Sequence, residues 1–265
     1  MFYNAKLKTL SIDNTTMDYV TFGRGEIPFV IIPGLSLRGI KGSTLPLAFM
    51  YRIFAKEYTV YIFDRKKDIP AGYTVRDIAR DVAEGMKLLS ISDAAVMGIS
   101  QGGMVAQYLA LEHPKLVNKL VLGVTLSRNN DTVEKVIADW IGYAENNDYE
   151  SIVKDLTVKM YSEAYVKKYK WLFPILLKVQ KLSEPERFVI LAKACLTCNT
   201  YNDLREIKCP VLVLGGKKDM IVTGEASEEM AEKLGCEIYM YEDLGHSAYE
   251  EAEDFNKRVY DFLDK

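Results

Sequence analysis

Gly98-Ile99-Ser100-Gln101-Gly102 lies between a short apolar run at 94–97 and an amphipathic run that opens at Gly103. Its reading decides the fold. A serine with glycine two residues to either side, placed between strand and helix, marks the sharp turn called a nucleophile elbow. Glycine leaves room there, because a Cβ would collide with the neighbouring strand or helix. A serine hydroxyl is almost inert at neutral pH. It becomes useful only if it projects from the turn, a base reaches it, and backbone N–H groups face the oxygen on which charge develops. The helix predicted from Gly103 adds its partial positive end to the same spot.

The surrounding sequence supplies a sheet for that elbow. Phe29-Val-Ile-Ile is a continuous apolar run ending at Pro33-Gly34, and Tyr58-Thr-Val-Tyr-Ile-Phe is another, ending at Asp64-Arg65. Lys119-Leu-Val-Leu-Gly-Val-Thr and Val211-Leu-Val-Leu follow the same pattern. Unbroken apolar strands are buried on both faces, so the sheet is predicted to be mainly parallel and covered by helices. Asp18-Tyr-Val-Thr-Phe alternates and reads as a half-buried strand, and Glu237-Ile-Tyr-Met-Tyr reads as a late one. Thr74-Val-Arg-Asp77 has the form of a capped helix start, followed by Ile78, Val82, Met86 and Leu89 on one face. The helix after Ser100 is predicted to run to about Glu112 and to close at His113-Pro114. A helix follows at 227–234, and a last one carries Phe255, Val259 and Phe262 inward.

Between 127 and 204 no strand pattern survives. Helical stretches are predicted at 131–146, 149–161, 163–181 (interrupted near Pro174) and 185–199. This stretch holds both tryptophans, Trp140 and Trp171, with Tyr143, Tyr149, Tyr161, Tyr165, Tyr169 and Phe173. It reads as a helical cap at 128–204 inserted in a core of 1–127 and 205–265, its aromatics mostly fastening cap to core.

A chain of 265 residues suits a single α/β sheet domain. Its 37 acidic and 34 basic residues are dispersed, so no basic stripe marks a nucleic-acid partner and no polybasic run marks a membrane surface. The first residues lack a charged-then-apolar leader pattern, and the densest apolar stretch, at 171–177, is too short to span a bilayer. A cytoplasmic protein acting on a small molecule is expected, with a homodimer left open. Four cysteines fit a reducing compartment. Cys195-Leu-Thr-Cys198 has redox-motif spacing, but it lies in a predicted helix and reads as packing; no metal site is expected.

The chain has two histidines. His113 sits at the far end of the helix that starts beside Ser100, roughly 15 Å from the hydroxyl at 1.5 Å per residue, and cannot serve it. His246 follows the last predicted strand, and loops beyond the carboxyl ends of parallel strands gather on the rim that also carries Ser100. His246 is therefore the candidate base. Asp219, shortly after the strand ending at Leu214, is the preferred acid behind it. Asp131 and Asp243 remain alternatives. For an oxyanion hole the candidates are the N–H of Gln101, directly after the serine, and that of Leu35, in the loop Pro33-Gly34-Leu35-Ser36. Arg38 and Lys41, beyond that loop, read mainly as solvated charges.

Together, Phe29-Val-Ile-Ile-Pro-Gly, the stretch from Gly98 to Ala110, His113-Pro with Leu120-Val-Leu, Gly215-Gly-Lys-Lys-Asp and Gly245-His246 resemble the alpha/beta-hydrolase family over essentially the whole chain. The resemblance implies an eight-stranded, mostly parallel sheet, a helical cap after the sixth strand, a Ser100-Asp219-His246 triad and no cofactor. Around Ser100 the chain is most similar to the esterase, enol-lactonase and carbon–carbon-bond hydrolase branch. Two departures stand out. Pro33-Gly34 replaces the His-Gly of many relatives, and Gln101 replaces a Met or Leu, bringing a polar side chain that could touch substrate. Serine at the elbow, where other branches carry aspartate, argues against haloalkane dehalogenases and epoxide hydrolases. The expected activity is hydrolysis of a small or medium, apolar carboxylic ester, thioester or lactone. Carbon–carbon or amide cleavage by the same residues is an alternative, as is a slow-turnover ligand sensor.

Overall fold

Strand β5, Ala94–Ile99, shows how the sheet is built. All six of its residues are buried. Ala94 and Val96 face one hydrophobic cluster, while Ala95, Met97 and Ile99 face the other. The period-two alternation of a strand thus feeds two cores, which is why the sequence there is apolar without a break.

The structure, a computed structural model, describes residues 3–169, 171 and 184–265. The eight strands are β1 (Lys6–Ile12), β2 (Thr15–Gly23), β3 (Ile27–Ile32), β4 (Tyr58–Lys66), β5, β6 (Val117–Gly123), β7 (Val211–Gly216) and β8 (Glu237–Tyr241). They form one sheet in the order β1-β2-β4-β3-β5-β6-β7-β8. β1 and β2 pair antiparallel with each other, as do β2 and β4; every other pairing is parallel. Helices α2 (Val75–Leu88) and α3 (Gln101–Glu112) cover one face. On the other lie α1 (Thr44–Met50) and the C-terminal helix, whose Phe255 and Val259 are fully buried. The order of strands reverses between β3 and β5. Their C-terminal loops therefore part, leaving a crevice at the carboxyl ends of the strands.

The local signals hold where the periodicity is strong. Thr74 Oγ1 accepts from Asp77 N, and Asp77 Oδ2 accepts in turn from Thr74 N, closing the capping box. Several elements are invisible to the sequence pattern, among them β1, α1 and the four-residue helix Ala248–Glu251. β1 is a largely exposed edge strand with lysines at positions 6 and 8, so it lacks alternation. α1 is seven residues long, carries Pro46 and buries only Ala48. α3 begins at Gln101, two residues before the predicted start, because the Ser100 carbonyl already accepts from the N–H groups of Gly103 and Met104.

Between β6 and β7 the chain forms α4 (Asp131–Glu145), α5 (Tyr149–Met160), α6 (Glu163–Tyr169) and α7 (Pro185–Cys195). α7 stops four residues short of the prediction. The two ends of this segment are held together by a bridge between Arg128 and Asn199 and by Thr200 N donating to Ser127 O at 2.8 Å. The predicted continuation of the third helix past Tyr169, with Phe173 and Pro174, lies outside the described residues. No helix among the described residues is long and apolar enough to cross a membrane.

Cys195 and Cys198 are 3% and 2% exposed and unbridged. Burial pushes their thiols up to about 11 and about 12. The thiolate is the reactive form. At pH 8 the native protein is therefore expected to leave both unmodified by iodoacetamide over minutes, while the denatured chain alkylates all four cysteines. Rapid native labelling of either, read by mass spectrometry, contradicts this packing role.

Candidate active site

The site begins with a strained residue. Ser100 has φ 53° and ψ −121°, a left-handed conformation that costs a non-glycine residue about 1–3 kcal/mol. Its neighbours enforce it. Ser100 N donates to Gly123 O at 2.9 Å, and its carbonyl accepts from Thr125 Oγ1 at 2.7 Å. A Cβ on Gly98 would overlap the Gly102 carbonyl, and one on Gly102 would overlap the Ile32 carbonyl, so β5, α3 and β3 meet only through glycine. The hydroxyl is left projecting at the N-terminus of α3.

The two loops that face it are joined in the same way. β7 runs into the turn holding Asp219, and β8 into the loop holding His246. Lys218 N donates to Leu244 O at 3.0 Å and Lys217 N to Tyr241 O at 3.0 Å. A Cβ on Gly216 would overlap the Gly245 carbonyl, so the loops touch backbone to backbone. Asp219 Oδ1 accepts from the N–H groups of Ile221 (2.8 Å) and Val222 (3.0 Å), and Oδ2 lies 2.8 Å from His246 Nδ1. A carboxylate held this way is an acceptor only, so Nδ1 carries the proton and Nε2 is left with its lone pair. His246 Nε2 lies 2.9 Å from Ser100 Oγ. The imidazole and the carboxylate are nearly sealed from solvent, at 5% and 1% side-chain exposure.

The other candidates lie elsewhere. Asp131 is the exposed first residue of α4. Asp243 is exposed and pairs with Lys218 at 2.8 Å. His113 caps the far end of α3, and burial lowers its pKa. Lys41 is exposed and pairs with Asp18, whereas Arg38 lines the cavity in front of Ser100.

For a developing oxyanion, Gly34 brings the loop after β3 against the elbow: a Cβ there would lie 3.2 Å from Ser100 Cβ. Among the described residues, neither Leu35 N–H nor Gln101 N–H has a protein acceptor. Gln101 N–H is one of the unpaired donors of the first helical turn.

The side chain of Gln101 corrects the expectation that it touches substrate. It is 1% exposed, and both ends of its amide are engaged away from the cavity. Oε1 accepts from Arg65 Nη2 at 3.0 Å, while Nε2 donates to Leu191 O of α7 at 2.6 Å and approaches Cys195 Sγ at 3.1 Å. The same Arg65 nitrogen donates to Pro33 O at 2.6 Å. One buried guanidinium thus ties the loop after β3 to the residue after the serine. α7 grips Arg65 in return, because Arg187 donates to the carbonyls of Arg65 (3.1 Å), Lys66 (2.7 Å) and Lys67 (2.6 Å). Arg65 was missed in the sequence, where it reads as the end of a strand. The available signal was an arginine following an apolar strand at the rim that carries the serine.

Before Ser100 and His246 opens a cavity of about 720 Å³. α4, α5 and α7 give it apolar walls, including Val133, Ile137, Val153, Leu156 and Phe188. Trp140 also lines it, with its indole N–H donating to Asp155 at 2.7 Å; Trp171 is two-thirds exposed. Among the described residues no group of three or more His, Cys, Asp or Glu side chains is placed to hold a metal ion.

A sequence profile described as alpha/beta hydrolase fold matches residues 27–253. The chain is 21% identical over 260 residues to 3-oxoadipate enol-lactonase 2 of Acinetobacter baylyi, covering 95% of this chain and 94% of that protein. It superposes on an alpha/beta hydrolase enzyme from a Medee basin deep-sea metagenome library with a TM-score of 0.89 and 19% identity, covering 97% and 98% of the two chains. On the enol-lactonase from Burkholderia xenovorans the TM-score is 0.83 with 20% identity, covering 97% and 100%.

Proposed function

Because this chain belongs to the alpha/beta hydrolase fold family and is an enzyme that hydrolyses esters or similar bonds, we propose that it cleaves small or medium, apolar carboxylic esters, thioesters or lactones through an acyl-enzyme. The observation that carries the reading is the line of contacts from Asp219 through His246 to Ser100, ending at an apolar cavity. Ser100 Oγ attacks the carbonyl carbon while its proton passes to His246 Nε2. The N–H groups of Leu35 and Gln101 receive the oxyanion, and the positive end of α3 adds to them. Asp219 holds the imidazole in the tautomer that accepts and stabilises the imidazolium that forms. Collapse of the tetrahedral intermediate expels the alcohol, thiol or ring oxygen, which takes the proton back from His246. A water activated by His246 then clears the acyl group. The segment at 128–204 acts as a cap whose inner face receives the apolar acyl portion.

A fluorophosphonate probe tests this directly. One equivalent is expected on Ser100, with parallel loss of p-nitrophenyl butyrate hydrolysis. Stoichiometric labelling at another residue, or hydrolysis that survives modification of Ser100, overturns the proposal.

A further inference from the structure

The cavity has a second end of different chemistry. Where α5 passes into α6, Ser247 N donates to Met160 O at 2.8 Å, and Ser162 N and Oγ donate to Glu251 at 2.9 and 2.5 Å. This corner of the helical segment therefore rests on the loop that begins at His246. Lining the cavity beside it are Tyr161, Tyr165, Tyr169, Tyr249 and Glu250. The rings of Tyr161 and Tyr165 stack at 4.7 Å with 8° between planes, and those of Tyr165 and Tyr169 are 4.5 Å apart.

Glu250 lines the cavity and is exposed to water there. Desolvation by the neighbouring protein raises its pKa, and the hydroxyls of Tyr161 and Tyr249 partly offset the effect. Tyr161 OH donates to its carboxylate at 2.7 Å. Among the described residues no lysine or arginine nitrogen lies within ion-pair distance of it; the charged groups around it are Glu251 and, when protonated, His246. A carboxylate on the cavity wall that accepts from a tyrosine hydroxyl, beside several electron-rich ring faces, has the composition of a site for an organic ammonium group.

The position of Glu250 gives the site its place in the reaction. His246 returns its proton to the leaving group, so the leaving alcohol lies on the histidine side. Glu250 follows His246 by four residues, and both line the cavity. We propose that Glu250, with Tyr161, Tyr165 and Tyr249, binds an ammonium group on the alcohol portion of the substrate, so that the enzyme prefers apolar acyl esters of amino alcohols. This rests on the serine-hydrolase reading above and narrows its substrate class.

The test compares butyrylcholine with 3,3-dimethylbutyl butyrate, two esters of the same shape that differ in one charge. A quaternary nitrogen is charged at every pH, so the comparison isolates the cation. The ratio of kcat/KM is expected to favour butyrylcholine by ~10-fold or more and to fall at least ~5-fold in Glu250→Gln, whose amide can still accept from the tyrosines. A ratio near one in the native enzyme, or a preference for an ester with an anionic alcohol portion, overturns the proposal whatever the variant does. A second readout needs neither turnover nor the variant. Choline is expected to protect Ser100 from fluorophosphonate at lower concentration than 3,3-dimethylbutanol does. Labelling of Ser100 with equal protection by the two alcohols defeats the ammonium site and leaves the hydrolase reading standing. Absence of labelling at Ser100 defeats both.

Discussion

Ser100→Ala and His246→Ala are each expected to lower kcat on p-nitrophenyl butyrate by ~10³-fold or more, and the double variant to be no slower than the worse single one. The two side chains act as a unit: without the imidazole the hydroxyl has no base, and without the hydroxyl the imidazole has nothing to activate. Asp219→Asn is expected to cost kcat on the order of 10⁴-fold. Its amide oxygen can still accept from Ile221 and Val222 N–H, which turns the NH₂ toward His246 Nδ1. That nitrogen must then accept, so the ring proton moves to Nε2, where it blocks proton transfer from Ser100. Asp131→Asn changes an exposed residue at the start of α4 and is expected to leave kcat within about twofold, like other surface substitutions away from such features. An Asp219→Asn enzyme that keeps a tenth of native kcat, or an Asp131→Asn enzyme that loses the activity, would reassign the acid.

Arg65→Met carries the next largest effect. The substitution keeps much of the apolar volume but leaves Pro33 O and Gln101 Oε1 without their donor. Leaving the buried Gln101 acceptor unpaired costs about 1–3 kcal/mol, and the part-buried Pro33 O adds to it, which lowers Tm by several degrees in a domain of this size. The effect on rate has a separate origin. Leu35 and Gln101 are spaced by the loop and the helix end that Arg65 joins, and losing one oxyanion donor outright costs ~2.7–4 kcal/mol of transition-state stabilisation. Loosening both is expected to lower kcat by ~10-fold or more at a temperature well below Tm, with KM changed little, because the acyl pocket is untouched. A merely structural role moves Tm and leaves kcat of the folded protein alone. A kcat within twofold of native in folded Arg65→Met refutes the positioning role.

The double use of Gln101 gives the helical segment a physical connection to the chemistry. Its N–H opens the first turn of α3, while its side chain is shared between Arg65 and the α7 carbonyl of Leu191. The seating of α7 and the spacing of the proposed oxyanion donors are therefore one hydrogen-bonded problem. Arg187 reinforces it by binding three consecutive carbonyls at the end of β4.

Much of this was written locally. Continuous apolar runs such as Phe29-Val-Ile-Ile signal strands buried on both faces, and Gly98 and Gly102 signal a backbone crossing that admits no side chain. Such features depend only on neighbours along the chain, so periodicity and residue size are enough to read them. Chain order also puts Ser100, Asp219 and His246 at the ends of parallel strands, hence on one rim. The short α1 and the exposed edge strand β1 escaped because neither has enough buried residues to impose a period.

The amino-acid sequence by itself determined the parallel sheet, the elbow at Ser100 and the strand-end placement of the polar candidates, because each follows from short-range sterics and burial. Only the tertiary structure decided that Asp219 and not Asp131 reaches the imidazole, that the Gln101 side chain turns away from the cavity to Arg65, and that Glu250 lines it. Those outcomes depend on which strands become neighbours and which loops touch. Contacts of that kind join residues tens to more than a hundred positions apart, as Ser100 and His246 are, and leave no trace in any local pattern.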